Sequence, residues 1–146
     1  LGNLYARRDW GHAKDYVAMQ WKILQQKNPG TYVIATGKVY TIKDFITKSL
    51  QVYNTKIKWL NKGLKEIGVI DSKSKIILNN KTYNYDFRGK KIIGINKKYY
   101  RPLELDYLRG DSTKAKKIIK WKPKYNFKNL VEEMVLSDFY KTVNAK

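Results

Sequence analysis

Apolar positions recur with a helical period in three stretches of the chain. Between Gly11 and Gln26, Ala13, Tyr16, Val17, Ile23 and Leu24 fall at helical spacing and predict a helix. Asn28-Pro29-Gly30 supplies turn chemistry that stops it. Thr41 suits an N-cap, and Ile42, Phe45, Ile46 and Leu50 then predict a helix running to about Tyr53. A third helix is predicted from about Phe127 to Val143, with Leu130, Val131, Met134 and Val135 on its buried side. A shorter one ends at Ile119, capped by Asp111 or Ser112, before the break at Pro123. Strand patterns are short. Residues 1–6 and Tyr32-Val33-Ile34-Ala35-Thr36 read as strands, the second ended by Gly37. Residues 56–60 alternate apolar and charged side chains, and Ile92-Ile93-Gly94-Ile95 reads as a short buried strand. Residues 61–90 mix Lys, Asn, Gly and brief apolar pieces, and read as a variable surface region with room for one hairpin. No internal repeat is present. The strands are too short and too few for a self-sufficient doubly wound sheet. The expectation is a small mixed α/β unit that packs beside a larger domain.

Composition narrows the function classes. The 146 residues make one domain, 42% hydrophobic and 14% aromatic, which fits a globular protein. No apolar run approaches the roughly 20 residues of a membrane span. The absence of cysteine excludes disulfides, thiolate ligands and a cysteine nucleophile. His12 is the only histidine, so a histidine-rich metal site is excluded. The start, Leu1-Gly2-Asn3-Leu4, has neither the basic nor the long apolar segment of a signal peptide, and a cytoplasmic protein is expected. The chain starts without Met, inside a predicted strand, so a missing upstream part is expected.

The net charge of +19 raises the possibility of a nucleic-acid partner. The 26 Lys and 5 Arg are scattered over the chain, and Ile, Asn and Tyr are abundant while Ala is scarce. That profile matches codon drift in an AT-rich genome, so nucleic acid is the lesser expectation. A small anion such as a nucleotide diphosphate suits the positive field equally well.

Several chemistries are missing. The chain has no G-x-x-G-x-x-G or G-x-G-x-x-G dinucleotide turn and no P-loop, H-E-x-x-H or G-x-S-x-G motif. None of the 12 tyrosines has a lysine four places on, so no Y-x-x-x-K pair exists. His12, beside Trp10 and Gly11 at a helix start, reads as a packed hydrogen-bonding residue before it reads as a general base. Glu132 and Glu133 are adjacent on a helix and do not face each other, so they read as a solvated face.

Two segments carry a resemblance. The first runs Leu1-Gly2-Asn3-Leu4-Tyr5-Ala6-Arg7-Arg8-Asp9-Trp10-Gly11-His12-Ala13-Lys14-Asp15-Tyr16-Val17. The second runs Tyr99-Tyr100-Arg101-Pro102-Leu103-Glu104-Leu105-Asp106-Tyr107-Leu108-Arg109-Gly110-Asp111 and continues through Thr113-Lys114-Ala115-Lys116 to Trp121-Lys122-Pro123. Both resemble the GDP-mannose 4,6-dehydratases, in the nucleotide-sugar branch of the extended short-chain dehydrogenase/reductases. Residues 32–37 are similar to that family too. The likeness covers nearly the whole chain except about 61–90, which is longer and more basic than the family pattern. Sister nucleotide-sugar epimerases and dehydratases, and a stand-alone basic nucleotide- or nucleic-acid-binding module, are the alternatives.

The resemblance implies a C-terminal nucleotide-sugar-binding part, residues 1–146, with most of the Rossmann half missing. Residues 1–36 would border that half. It would carry NADP and the catalytic Thr, Glu, Tyr and Lys, so no catalytic residue is expected in this chain. The family converts GDP-mannose to GDP-4-keto-6-deoxymannose by hydride removal at C4, loss of water between C5 and C6, and hydride return at C6. This part alone would be inactive, and the full-length enzyme would form dimers or tetramers. The substrate-binding residues carried over are Arg8, Arg101, Glu104 and Asn3. Arg8 and Arg101 would hold the diphosphate, since Arg offers bidentate, always-charged donors. Glu104 would accept from ribose hydroxyls or the guanine edge, or else orient Arg101. Asn3 would touch the nucleotide. Arg7 is expected in solvent or at another subunit. Asp9 would fix a turn, Trp10 would anchor the core, Asp15 would be a helix-surface acid, and Trp121 and Pro123 would serve packing and a turn.

Overall fold

The computed structural model describes residues 1–101 and 103–145. Pro102 of the second motif lies outside the described residues.

Three long helices stand close to where periodicity puts them. The helix α1 spans Ala13–Leu24, α2 spans Ile42–Val52, and α4 spans Phe127–Asn144, with the short α3 at Thr113–Ile118. Each long helix is closed at its N-terminus by its own residues. The Thr41 hydroxyl accepts from Asp44 N, and the Asp44 carboxylate accepts from Thr41 N. Asn126 and Asn129 form the same reciprocal cap on α4. His12 caps α1 by accepting from Lys14 N through Nδ1. Ser112 precedes α3 without a capping hydrogen bond from its side chain, while Asp111 accepts from Thr113 N at 2.8 Å.

Eight short strands make three small sheets among the described residues. They are β1 (Arg7–Asp9), β2 (Val39–Thr41), β3 (Ile57–Leu60), β4 (Ile67–Ile70), β5 (Ser74–Leu78), β6 (Lys81–Tyr85), β7 (Lys91–Gly94) and β8 (Tyr107–Leu108). In the first sheet, β1 lies between β2, antiparallel, and β8, parallel. The second has order β3-β4-β7 and is antiparallel throughout. The third is the hairpin β5-β6. Its turn residues Asn79 and Asn80 have φ of 49° and 62°, the left-handed pair that a two-residue hairpin turn requires. The variable region 61–90 therefore holds the expected hairpin and, in addition, β4 at the centre of a sheet.

Several expectations change. Residues 1–6 form no strand, because the Asn3 side chain accepts from Tyr5 N at 2.8 Å and turns the chain. Residues 32–36 belong to no described strand. The strand β7 is an outer strand, and Ile92 is 41% exposed rather than buried. Met134 is 46% exposed, on the flank of α4 turned towards the groove at Gly11–Ala13.

Met19 of α1, Ala115 of α3, Ile119 and Trp121 form the main core, with Ile23, Tyr32 and Ile34 packed on it. A second apolar layer lies between α2, α4 and the hairpin. Tyr40 stacks on Phe127 at 3.9 Å, Trp10 meets Phe45 at 4.8 Å, and Phe139 receives Tyr53 and Tyr83 edge-on. Trp10 and Trp121 thus anchor packing as expected. Asp15 does not lie on the surface. It is 3% exposed, and its carboxylate accepts from Lys124 N and Tyr125 N, fixing the approach to α4.

Asp9 ties the two motifs together. Its carboxylate accepts from Thr36 N and its hydroxyl, from Gly37 N at 2.8 Å, and from Gly110 N at 3.3 Å. Gly110 itself has no room for a Cβ against Ala35. Hydrogen bonds to a charged acceptor are worth more than neutral ones. The substitution Asp9→Asn keeps the shape but reverses half the polarity, and should cost about 1–2 kcal/mol of stability in a urea melt.

Candidate functional site

The parallel pairing of β8 with β1 brings the second motif alongside the first. Arg7 N donates to Asp106 O at 2.7 Å, and Glu104 N closes a turn on Arg101 O at 3.1 Å. The loop at residues 1–6 is fixed from the other side, where Ile42 N and Lys43 N donate to Ala6 O and Leu4 O. Gly2 is required there, because a Cβ would collide with the carbonyl of Tyr99.

Between these loops lies a surface cleft of about 300 Å³, lined by Gly2, Asn3, Ile42, Lys98, Arg101 and Glu104. Three of the four carried-over residues, Asn3, Arg101 and Glu104, line it. Arg8 sits behind them as a brace. Its Nη2 donates to Glu104 Oε1 at 2.9 Å, and its Nη1 donates to Leu105 O at 2.7 Å and Arg7 O at 2.9 Å. The Glu104 carboxylate therefore pairs with Arg8 and, among the described residues, makes no ion pair with Arg101. Asn3 is also engaged, donating to Asp106 Oδ1 at 3.3 Å. Arg101 differs: it is exposed, and among the described residues its guanidinium makes no hydrogen bond or ion pair. The arrangement offers an outward guanidinium with the Lys98 ammonium on the same cleft, which suits an anion of two or more oxygens. Arg7 is exposed, as expected.

A second, smaller pocket adjoins the cleft and shares Gly2 and Asn3 with it. It has a volume of about 190 Å³, and its other walls include Tyr5, Leu64, Glu66 and Tyr100. Glu66 is 2% exposed. Its Oε1 accepts from Lys43 Nζ at 2.6 Å and from the Tyr5 hydroxyl at 3.1 Å, while Oε2 is buried without a partner among the described residues. Lys43 also lies over the Trp59 ring at 4.6 Å. Residues 61–90 gave no sequence signal for this group. Its one mark is an acid set in a lysine-rich stretch just before the apolar run of β4.

Burial pushes the Glu66 carboxyl up, but hydrogen bonds from Lys43 and Tyr5, with the charges of Lys43 and Lys62, outweigh it. The group titrates below its ordinary 4.5. A folded-state pKa below the unfolded one gives stability that is present above the ordinary value and lost as pH falls through the lowered one. Denaturant melts at pH 5 and pH 3 should show a loss in the native protein that Glu66→Gln diminishes.

His12 is 6% exposed, its Nε2 lies 3.2 Å from Glu133 Oε2, and its ring stacks on Tyr125. It holds the helix start, as its sequence position implied. Glu133 does more than face solvent: it joins Lys14, at 2.7 Å, and His12, whereas Glu132 pairs along the helix with Lys128. The two carboxylates do not act as a pair.

No described residues fit a dinucleotide. The glycine-rich turn is absent, β1 and β8 are the only parallel pair described, and one first-turn N–H of each long helix is taken by its own cap side chain.

The folded chain is a small mixed α/β lobe. It superposes with a TM-score of 0.62 on RMD from Pseudomonas aeruginosa, solved in complex with NADPH, at 15% identity, covering 97% of this chain and 35% of that one. The family profile of GDP-mannose 4,6 dehydratase matches residues 1–134, and the chain belongs to that family. The GDP-mannose 4,6 dehydratase of Dictyostelium discoideum is 43% identical over 138 residues, which are 94% of this chain and 35% of that protein. The Homo sapiens enzyme is 43% identical, covering 94% of this chain and 33% of its own length. The Vibrio cholerae enzyme is 41% identical, covering 94% and 36%. The chain thus spans about a third of the length of the curated relatives it matches. Among the described residues, no helix is long and apolar enough to cross a membrane.

Proposed function

We propose that this chain is the nucleotide-sugar-binding part of a GDP-mannose 4,6-dehydratase, and that it grips the diphosphate of GDP-mannose in the cleft of Arg101. The observation that carries this reading is the gathering of Asn3, Arg101 and Glu104 on one cleft, with Arg8 bracing Glu104 from behind. Arg101 provides the outward guanidinium, and Lys98 adds charge on the same cleft. Arg8 acts chiefly by holding Glu104 and the carbonyl of Leu105 in place. NADP would belong to a dinucleotide-binding half outside these 146 residues, and dehydration would need that half.

The exposed side of α1 supports a docked partner half. Val17, Trp21 and Leu24 form an apolar stripe at 62%, 65% and 76% exposure, and Val33 is 50% exposed. Stripes of this kind mark packing surfaces. Full-length dimers or tetramers and a cytoplasmic location are part of the same reading.

Two assays test it together. Calorimetry should show GDP-mannose binding to the 146-residue chain. Incubation of the chain alone with GDP-mannose and NADP should give no 4-keto product, and addition of a dinucleotide-binding half from a relative should restore turnover. Turnover by the chain alone would sink the reading.

A further inference from the structure

We propose that Glu66 is a positioning residue for the Arg101 cleft: from its buried ion pair with Lys43 it holds the Tyr5 hydroxyl, and through Tyr5 it sets the placement of Asn3. This inference rests on the proposed nucleotide-sugar grip in that cleft and deepens it. Glu66 acts only through its neighbours and touches no ligand.

A run of hydrogen bonds leads from Glu66 to the cleft. Glu66 Oε1 accepts from Lys43 Nζ at 2.6 Å and from the Tyr5 hydroxyl at 3.1 Å, and Lys43 Nζ also donates to the Tyr5 oxygen at 3.3 Å. The three groups close a triangle around a carboxylate that is 2% exposed, where charge-assisted hydrogen bonds are strong. At its other end, Tyr5 N donates to Asn3 Oδ1 at 2.8 Å, and Asn3 Nδ2 donates to Asp106 Oδ1 at 3.3 Å. Tyr5 is therefore held at its hydroxyl by Glu66 and at its backbone by Asn3. The Asn3 carboxamide spends one N–H and one lone pair in these bonds, which leaves a second of each for a ligand in the cleft that it lines. Residues 2–5 belong to no described strand. Their placement rests on the buried Leu4, on the bond from Lys43 N to Leu4 O at 3.0 Å, and on the Glu66 triangle. Lys43 thus fixes this loop twice, by its backbone and by its side chain.

The test measures GDP-mannose affinity by calorimetry for the protein at its natural length. Tyr5→Phe removes only the hydroxyl, from a side chain that is 52% exposed, so the fold is kept. Glu66→Met removes the acceptor at nearly constant volume. Each should weaken GDP-mannose by about threefold to tenfold, and the double variant should bind no worse than Glu66→Met alone, because both changes cut the same bond. In an Asn3→Ala background Tyr5→Phe should cost no further affinity, whereas in an Arg101→Ala background it should cost the same factor as in the native protein. A general loss of stability would lower affinity equally in the two backgrounds. Unchanged affinity in Tyr5→Phe, or equal losses in the Asn3→Ala and Arg101→Ala backgrounds, would overturn the positioning role and leave the Arg101 cleft standing. A native protein that does not bind GDP-mannose would overturn both readings.

Discussion

Trp121→Ala should lower the stability of this protein by about 3–5 kcal/mol, the range for removing a large aromatic from a packed core. Trp121 is 3% exposed and packs with Met19, Ala115 and Ile119, where α1, α3 and the residues Tyr32 and Ile34 meet. None of the three can collapse freely into the space. Asp15 fixes the chain at residues 124–125, just beyond Trp121, and α1 is held at His12. A cavity would therefore persist, and its cost adds to the lost transfer free energy. Thermal melts should shift down by roughly 10 °C for a domain of this size. Trp121→Phe should lose less than half as much, because most of the contact surface remains. A shift of only a degree or two for the alanine variant would mean that the core described here carries little of the stability.

Arg101→Ala should weaken GDP-mannose binding by roughly a hundredfold, and Arg101→Lys by about tenfold. The difference follows from geometry. A guanidinium gives a diphosphate two parallel charge-assisted hydrogen bonds, and an ammonium presents a point charge. Arg101 is exposed and makes no ion pair among the described residues, so its removal leaves no buried charge behind and should not change the melting temperature. Arg8→Ala should behave differently. It releases Glu104 and the Leu105 carbonyl, so both affinity and stability should fall. Calorimetric titration and a melt on each variant separate the two roles. Equal losses of stability for the Arg8 and Arg101 variants would contradict the division between brace and ligand.

The helices were the most legible part of the chain. Thr41 as an N-cap, followed by Ile42, Phe45, Ile46 and Leu50, predicts α2 within a residue of where it stands. Periodicity located α1 but not its faces. Its buried positions are Asp15 and Met19, and its exposed ones include Val17, Trp21 and Leu24. Hydrophobic spacing reports an apolar face without saying what covers it, and this chain leaves that stripe bare. The same holds for residues 32–36, since a strand exists only with a neighbour. The hairpin turn at Asn79-Asn80 was readable in principle, because Asn tolerates positive φ better than most residues. The lysine-rich surroundings hid it.

For the site, resemblance in two motifs pointed to Asn3, Arg8, Arg101 and Glu104, and the fold brings all four together at one cleft and the brace behind it. It did not reveal which arginine faces outward. That depends on Glu104 and Leu105, 96 and 97 residues from Arg8, meeting its guanidinium through the pairing of β1 with β8. Glu66 was invisible for the same reason. Its partners Tyr5 and Lys43 lie 61 and 23 residues away. The sequence by itself determined the helices, the Thr41 cap and the family, because these are written in local spacing and contiguous motifs. Tertiary structure decided which side chains are held and which remain available. That choice comes from hydrogen bonds between distant segments, whose register no local pattern encodes.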